Sequence, residues 1–210
     1  MLDRAVARAK PAKPNMGKPA GSVRIIGGRW RGRKLPVADL PGLRPTPDRV
    51  RETLFNWLAP DLAEIRVLDL FAGTGALGFE ALSRGAGEAV LVEREARAVS
   101  LLRQSASLLE ATAEIVAGDA LAYLSRPSTG FDVVFVDPPF AAELWTPVLS
   151  ALPAHLRAGH RVYVEAPKTW PGPAGTGWRV LKEKAVADVV MRLLDYSEAS
   201  PQNSPSGERP

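Results

Sequence analysis

Arg66-Val-Leu-Asp-Leu-Phe-Ala-Gly-Thr-Gly75 reads as an apolar strand that runs into a glycine turn and opens a helix. Gly73 and Gly75 permit a tight turn and a close backbone approach to a ligand. With Gly78 they satisfy G-x-G-x-x-G, so a dinucleotide oxidoreductase has to be weighed. Two features oppose it. Asp69 stands at the strand end, where it repels a pyrophosphate and welcomes a cationic ligand with an amino acid moiety. No candidate hydride-transfer site follows.

Outward from this turn, strands read at 66–70, 89–93, 114–117, 132–136 and 161–165. Helices read at 75–84, 95–109, 119–125 and about 142–152. This alternation predicts an α/β fold with a doubly wound, mostly parallel sheet. Residues 170–177 read as a loop, and 178–186 and 188–195 as a closing hairpin whose last strand is antiparallel to the others. Such sheets bind ligands at the carboxyl ends of their strands, beside the topological switch point. Four acidic residues stand at those ends. After Asp69 comes Glu93, suited to the hydroxyls of a ribose. Asp119 suits either an adenine amine or the N-cap of the next helix. Asp137 ends the fourth strand.

That fourth strand lies in Phe131-Asp-Val-Val-Phe-Val-Asp-Pro-Pro-Phe140. Pro138 and Pro139 have no N–H to donate, and a following proline keeps Asp137 extended. Their carbonyls are left as free acceptors beside a carboxylate, and Phe140 adds an aromatic face. The set suits a flat group that bears an amine. The plainer alternative is a strand that stops at a Pro-Pro turn with a solvated aspartate.

Charge is unevenly spread over the 210 residues. The first 51 hold 13 Lys and Arg against three Asp, a net of +10, and the remainder carries −6. A basic arm on an acidic body points to a polyanion, of which nucleic acid fits best. Residues 1–21 have no apolar period and read as a disordered leader. Val23, Ile25 and Ile26 predict a short strand, Gly27-Gly28 a turn, and Trp30–Val37 a returning strand. This hairpin carries Arg24, Arg29, Arg31, Arg33 and Lys34 around Trp30, suited to phosphate contact with base stacking. Trp30 alternatively packs the hairpin onto the body. In residues 43–60, Thr46 is the predicted N-cap and Pro47 the first turn of a helix that Pro60 ends. Val50, Leu54, Trp57 and Leu58 form its apolar stripe, with Arg49 and Arg51 off it.

The chain has no cysteine, which excludes disulfides, thiolate metal sites and a cysteine nucleophile. Its two histidines, His155 and His160, stand beside no carboxylate cluster, so no metal site is expected. There is no membrane span and no signal sequence, and the expected location is the cytoplasm. Residues 197–210 read as a disordered tail.

The motifs RIIGGRWRGRKLPV, GLRPTPDRVRETLFNWLAP, LDLFAGTGALGFEALSRGA and FVDPPF together resemble the RsmD family of bacterial small-subunit ribosomal RNA guanine-N2 methyltransferases. The resemblance runs from about residue 23 to residue 196. It implies a seven-stranded Rossmann-like methyltransferase domain at 61–196, preceded by a hairpin-and-helix extension at 22–60. It implies S-adenosyl-L-methionine as methyl donor, held by Thr46, Asp69, Phe71, Gly73, Gly75, Glu93, Asp119 and Ala120. Asp137, Pro138, Pro139 and Phe140 are then the acceptor site. Arg24, Arg29, Trp30, Arg31, Arg33, Lys34, Arg49 and Arg51 are the expected RNA contacts. The implied protein is a monomer acting on an assembled or assembling small ribosomal subunit. The competing readings are a DNA adenine or cytosine amino-methyltransferase and a non-catalytic RNA-binding assembly factor.

Overall fold

The computed structural model describes residues 21–39, 46–59, 62–175 and 177–198. The leader before Gly21, Pro60 as a helix stop and the tail beyond Glu198 lie outside the described residues. A small antiparallel hairpin, β1 (Gly21–Arg24) and β2 (Lys34–Val37), is followed by α1 (Asp48–Leu58). Then come β3 (Arg66–Asp69), α2 (Ala76–Ser83), β4 (Glu88–Glu93), α3 (Ala96–Leu109), β5 (Ala113–Ala117), α4 (Ala120–Leu124) and β6 (Phe131–Val136). After a short 3-10 turn, α5 (Trp145–Ala151), β7 (Leu156–Pro167), β8 (Trp178–Val186) and β9 (Val189–Tyr196) complete the fold.

The main sheet has seven strands in the order β5-β4-β3-β6-β7-β9-β8. β3, β4, β5, β6 and β7 pair in parallel, while β9 pairs antiparallel with both β7 and β8. β3 lies between β4 and β6, so the chain reverses direction across the sheet there. This is the topological switch point, where helices diverge to opposite faces and leave a crevice.

Side-chain alternation sorts the two faces. Val67, Leu91, Val133, Phe135 and Tyr163 point to one side, where they pack with Leu54 and Phe55 of α1, Phe79 of α2 and Leu102 of α3. Leu68, Val90, Val134, Val136, Val162 and Val164 point to the other, with Leu124 of α4 and Trp145 and Val148 of α5. The central strands β3, β4 and β6 are apolar on both faces because helices cover both.

The hairpin departs from its expected form. Only Lys34–Val37 returns as strand, and Trp30–Arg33 belongs to the connecting loop. The loop is held down instead of being paired. Glu80 of α2 accepts from the Ile26 and Gly27 amides at 2.7 and 2.8 Å. Ser83 Oγ accepts from the Trp30 amide and donates to the Gly27 carbonyl. Gly28 has φ +74°, and a Cβ there would lie 1.7 Å from the Ser83 carbonyl oxygen. Only glycine lets the two backbones meet this closely. At the other end of the hairpin, Val23 and Val37 pack on Ala76, the first residue of α2. The hairpin therefore lies along α2, strand ends toward the switch point and loop about 10 Å away at the helix C-terminus.

Candidate active site

The switch-point edge is built from strand ends and the turns after them. Gly73 and Gly75 take φ of +53° and +76°. A Cβ on Gly75 would lie 2.5 Å from the Phe79 ring and 2.7 Å from Leu102. Gly75 is thus required by core packing as well as by the turn. The Gly73 amide donates to Glu93 Oε2 at 2.8 Å, and Glu93 Oε1 accepts from the Glu95 amide at 2.8 Å. Glu93 shapes the glycine turn, and a carboxylate with about four acceptor positions still has room for hydroxyl donors.

Asp69 is 2 % exposed and accepts from the Gly78 amide at 3.1 Å. Burial, with the nearby Glu93 charge adding to it, pushes its carboxyl up to about 7 against the opposing Gly78 hydrogen bond. The cost falls on the ionised form. Between the ordinary carboxylate value and about 7, the folded chain holds a proton that the unfolded chain has released. Stability therefore falls as pH rises through that window. Asp69→Asn removes the charge and keeps an acceptor for Gly78. It is expected to stabilise the donor-free protein at pH 8 by on the order of 4 kcal/mol, with the gain vanishing near pH 4. Urea unfolding at the two pH values measures this, and equal stabilities at pH 8 would refute it.

Asp119 adopts the second of its two expected roles at one oxygen. Oδ1 accepts from the Leu121 and Ala122 amides and caps α4, with the side chain exposed. Ala120 is buried below it, and Phe71 is half-buried against α4 and α5's core. Thr46 is not an N-cap. α1 begins at Asp48 without a side-chain cap, and Thr46 Oγ1 donates to Asp137 Oδ2 at 3.3 Å. The proline at position 47 holds the chain extended before the helix (φ −58°, ψ 147°), which turns Thr46 toward β6.

Asp137 is half-buried, Pro138 buried, and Pro139 and Phe140 exposed. Burial pushes the Asp137 carboxyl well above the carboxylate range, and the Glu165 and Asp69 charges push it further. The Phe140 ring lies 5.8 Å from that of Trp145, which lies 5.9 Å from that of Trp170. The exposed Phe140 ring thus packs at a tilt against the buried Trp145, with the half-buried Trp170 behind it. Glu165 and Tyr163 are absent from the residues that the sequence singles out, although Glu165 lies two residues before the end of β7.

The basic extension divides into three. Arg24 and Lys34 line a cleft of about 460 Å³ that reaches Thr46, Pro47 and Asp48. Arg29, Arg31 and Arg33 sit on the loop at the far end of α2. Arg29 lies over the Trp30 ring at 4.1 Å, and Arg33 donates to the Leu108 carbonyl at 3.1 Å. Trp30 is half-buried against the core, which is the packing alternative. Arg49 is exposed on α1. Arg51 cannot be an RNA contact. It is fully buried, donating to Asp48 at 2.7 Å and to the Arg24 carbonyl at 2.8 Å, with Glu80 at 3.6 Å. The hairpin covers the face of α1 that a helix standing alone would expose.

Both histidines are structural. His155 bonds Ser128 and the Leu124 carbonyl, and His160 accepts from the Tyr196 amide. Among the described residues no cluster of ligands suits a metal ion, and no helix is long and apolar enough to cross a membrane.

This arrangement has known counterparts. The family model described as Conserved hypothetical protein 95 matches residues 23–195. Ribosomal RNA small subunit methyltransferase D of Escherichia coli K12 is 47% identical over 186 residues, covering 86% of this chain and 93% of the relative. The protein of that name in Haemophilus influenzae is 44% identical over 180 residues, covering 82% and 93%. Among solved structures, one from Escherichia coli is 44% identical with a TM-score of 0.76, covering 84% of this chain and 98% of its own. Another, from Haemophilus influenzae, is 40% identical with a TM-score of 0.73, covering 85% and 100%. The chain belongs to the Conserved hypothetical protein 95 family, the family of the ribosomal RNA small subunit methyltransferase D proteins.

Proposed function

We propose that this protein transfers a methyl group from S-adenosyl-L-methionine to the exocyclic 2-amino group of a guanosine in small-subunit ribosomal RNA. The observation that carries the reading is the Asp137-Pro138-Pro139-Phe140 turn next to the Asp69 and Gly73–Gly75 turn at one switch point. The named relatives support the ribosomal substrate.

Donor and acceptor have distinct requirements, and the edge offers each. The sulfonium and ammonium of the donor are cationic, which favours the strand ends around Asp69. Glu93 accepts from the ribose hydroxyls, and the free Asp119 oxygen accepts from the adenine amine. The acceptor amine is neutral, with its lone pair delocalised into the ring. The site must hold it in line with the sulfonium methyl and favour charge as it builds on nitrogen. The Asp137 carboxylate and the Pro138 carbonyl accept its two hydrogens while Phe140 stacks on the base. The base has to be unpaired to reach them.

RNA follows the hairpin in this reading, from the far loop to the cleft between Arg24, Lys34 and Thr46. Neutralising Arg29, Arg31 and Arg33 together is expected to reduce the salt slope of RNA affinity by roughly 0.7–0.9 for each phosphate that they pair with. An unchanged slope would show that these arginines never meet phosphate. The function itself is tested by methyl transfer from labelled donor to naked ribosomal RNA and to isolated small subunits. Nucleoside analysis should find N2-methylguanosine. A labelled adenosine or cytidine, or DNA as the better acceptor, would replace this reading.

A further inference from the structure

Glu165 stands near the end of β7 beside the acceptor turn. The parallel register pairs Phe135 with Tyr163 and Val136 with Val164, so the next step sets Asp137 beside Glu165. Alternation puts both on the α1 face of the sheet. Glu165 is only 7 % exposed. Its Oε2 accepts from the Tyr163 hydroxyl at 2.9 Å, and its backbone carbonyl accepts from the Trp145 indole at 2.8 Å. The Tyr163 ring is in turn fixed edge-on to Phe135, centroids 6.3 Å apart. A carboxylate this firmly held is not a solvated surface group. The groups bearing on Asp137 are Glu165 from β7, Asp69 from β3 and the Thr46 hydroxyl ahead of α1. Both charges are negative.

We propose, resting on amine methylation as the function, that Glu165 is a positioning residue acting through Asp137. Its carboxylate makes Asp137 the acceptor for the proton that the methylated amine sheds. In the transfer, the nitrogen lone pair forms the new N–C bond, and the C–S bond breaks with its electrons returning to sulfur. The nitrogen then carries the methyl group, two hydrogens and a positive charge. One N–H proton passes to an Asp137 oxygen and its electron pair returns to nitrogen, leaving the neutral methylamine. An isolated aspartate is a weak acceptor. Beside a second carboxylate it gives up its charge more readily, because two like charges resist coexistence. Burial raises both carboxyls, and each accepts from one hydroxyl, Glu165 from Tyr163 and Asp137 from Thr46. Asp137 is the member that takes the proton because it stands in the acceptor turn itself.

The test is the pH profile of single-turnover transfer to small ribosomal subunits between pH 6 and 9. Wild-type rate should rise with pH as Asp137 ionises. In Glu165→Gln, the neighbouring charge is gone and the rising limb should move to lower pH by roughly one unit or more. The plateau rate should also fall, because Asp137 has become the weaker base. Coincident limbs overturn the proposal, and so does an equal loss at every pH, which a merely structural role would give. Carbon-13 NMR of the side-chain carboxyls of the full wild-type chain gives a second reading that needs neither the variant nor activity. A two-step titration of Asp137 coupled to Glu165 supports the proposal, and a single independent step overturns it. If wild type methylates no guanine amine, the proposed function fails, and the NMR result still decides the carboxylate pair.

Discussion

Asp137→Ala is expected to lower the single-turnover rate of methyl transfer by about 10²–10⁴-fold, the usual worth of one positioned acid–base group. Donor affinity should largely hold, because Glu93 is held by the Gly73 amide and Asp69 by the Gly78 amide, neither through Asp137. Thr46 alone of the expected donor contacts gives up a bond to it. RNA affinity should hold too, since the cations of the extension stand on separate elements. The interaction strengthens as charge builds on nitrogen, so its loss appears in rate more than in binding. Phe140→Ala should cost about 1–3 kcal/mol of acceptor stacking as well as rate. Phe140→Tyr keeps the face and should be tolerated. Donor titration by calorimetry, run beside the transfer assay, separates the effects. A near wild-type rate for Asp137→Ala would remove this turn from the mechanism, and with it the reason for reading the acceptor as an amine.

The centre of the sheet is legible in the sequence because β3, β4, β6 and the second half of β7 are buried on both faces. Runs such as Val133–Val136 are apolar without alternation, and each ends in an acidic residue before a turn. By that rule Asp69 and Glu93 close β3 and β4, and Asp137 follows β6 directly, whereas Asp119 stands two residues beyond β5. Glu165 obeys it too, at the end of Arg-Val-Tyr-Val-Glu, but β7 runs on for two residues, so the rule gives a weaker signal there. Thr46 carries a capping residue's chemistry, and only the extended proline after it sends the hydroxyl to Asp137 instead.

The extension is less legible because its order comes from partners distant in sequence. Trp30-Arg-Gly-Arg-Lys alternates like a strand, yet the amides of Ile26, Gly27 and Trp30 go to side chains more than 50 residues away. Arg51 lies off the apolar stripe of α1, and no pattern local to α1 tells that the hairpin will cover it. The available signal is Glu80. All eight residues of α2 are buried, and a lone carboxylate in such a helix must have partners.

Glu80→Ala is expected to destabilise the protein by at least about 3–5 kcal/mol, the cost of breaking a buried ion pair from one side. Glu80 has no exposed surface and accepts from the amides of Ile26 and Gly27 and from Arg84 at 2.7 Å. Removing it strands two amides and takes from Arg51 a counter-charge at 3.6 Å. Arg51 is itself fully buried, and its Nε and Nη1 already lack hydrogen-bond partners, so among the described residues only Asp48 would offset the charge. A loss of this size is a large part of the total stability of an ordinary domain. Adding Arg51→Met should recover part of it, since the buried charge then goes. It should not recover all, because the hairpin amides have no acceptor in either variant. The hairpin should therefore open before the sheet does. Hydrogen exchange at residues 21–37 should accelerate well ahead of exchange in β3 and β6, and chemical unfolding gives the total. Exchange that stays uniform across the hairpin and the sheet would show that Glu80 anchors nothing, and that the extension folds on α2 without it.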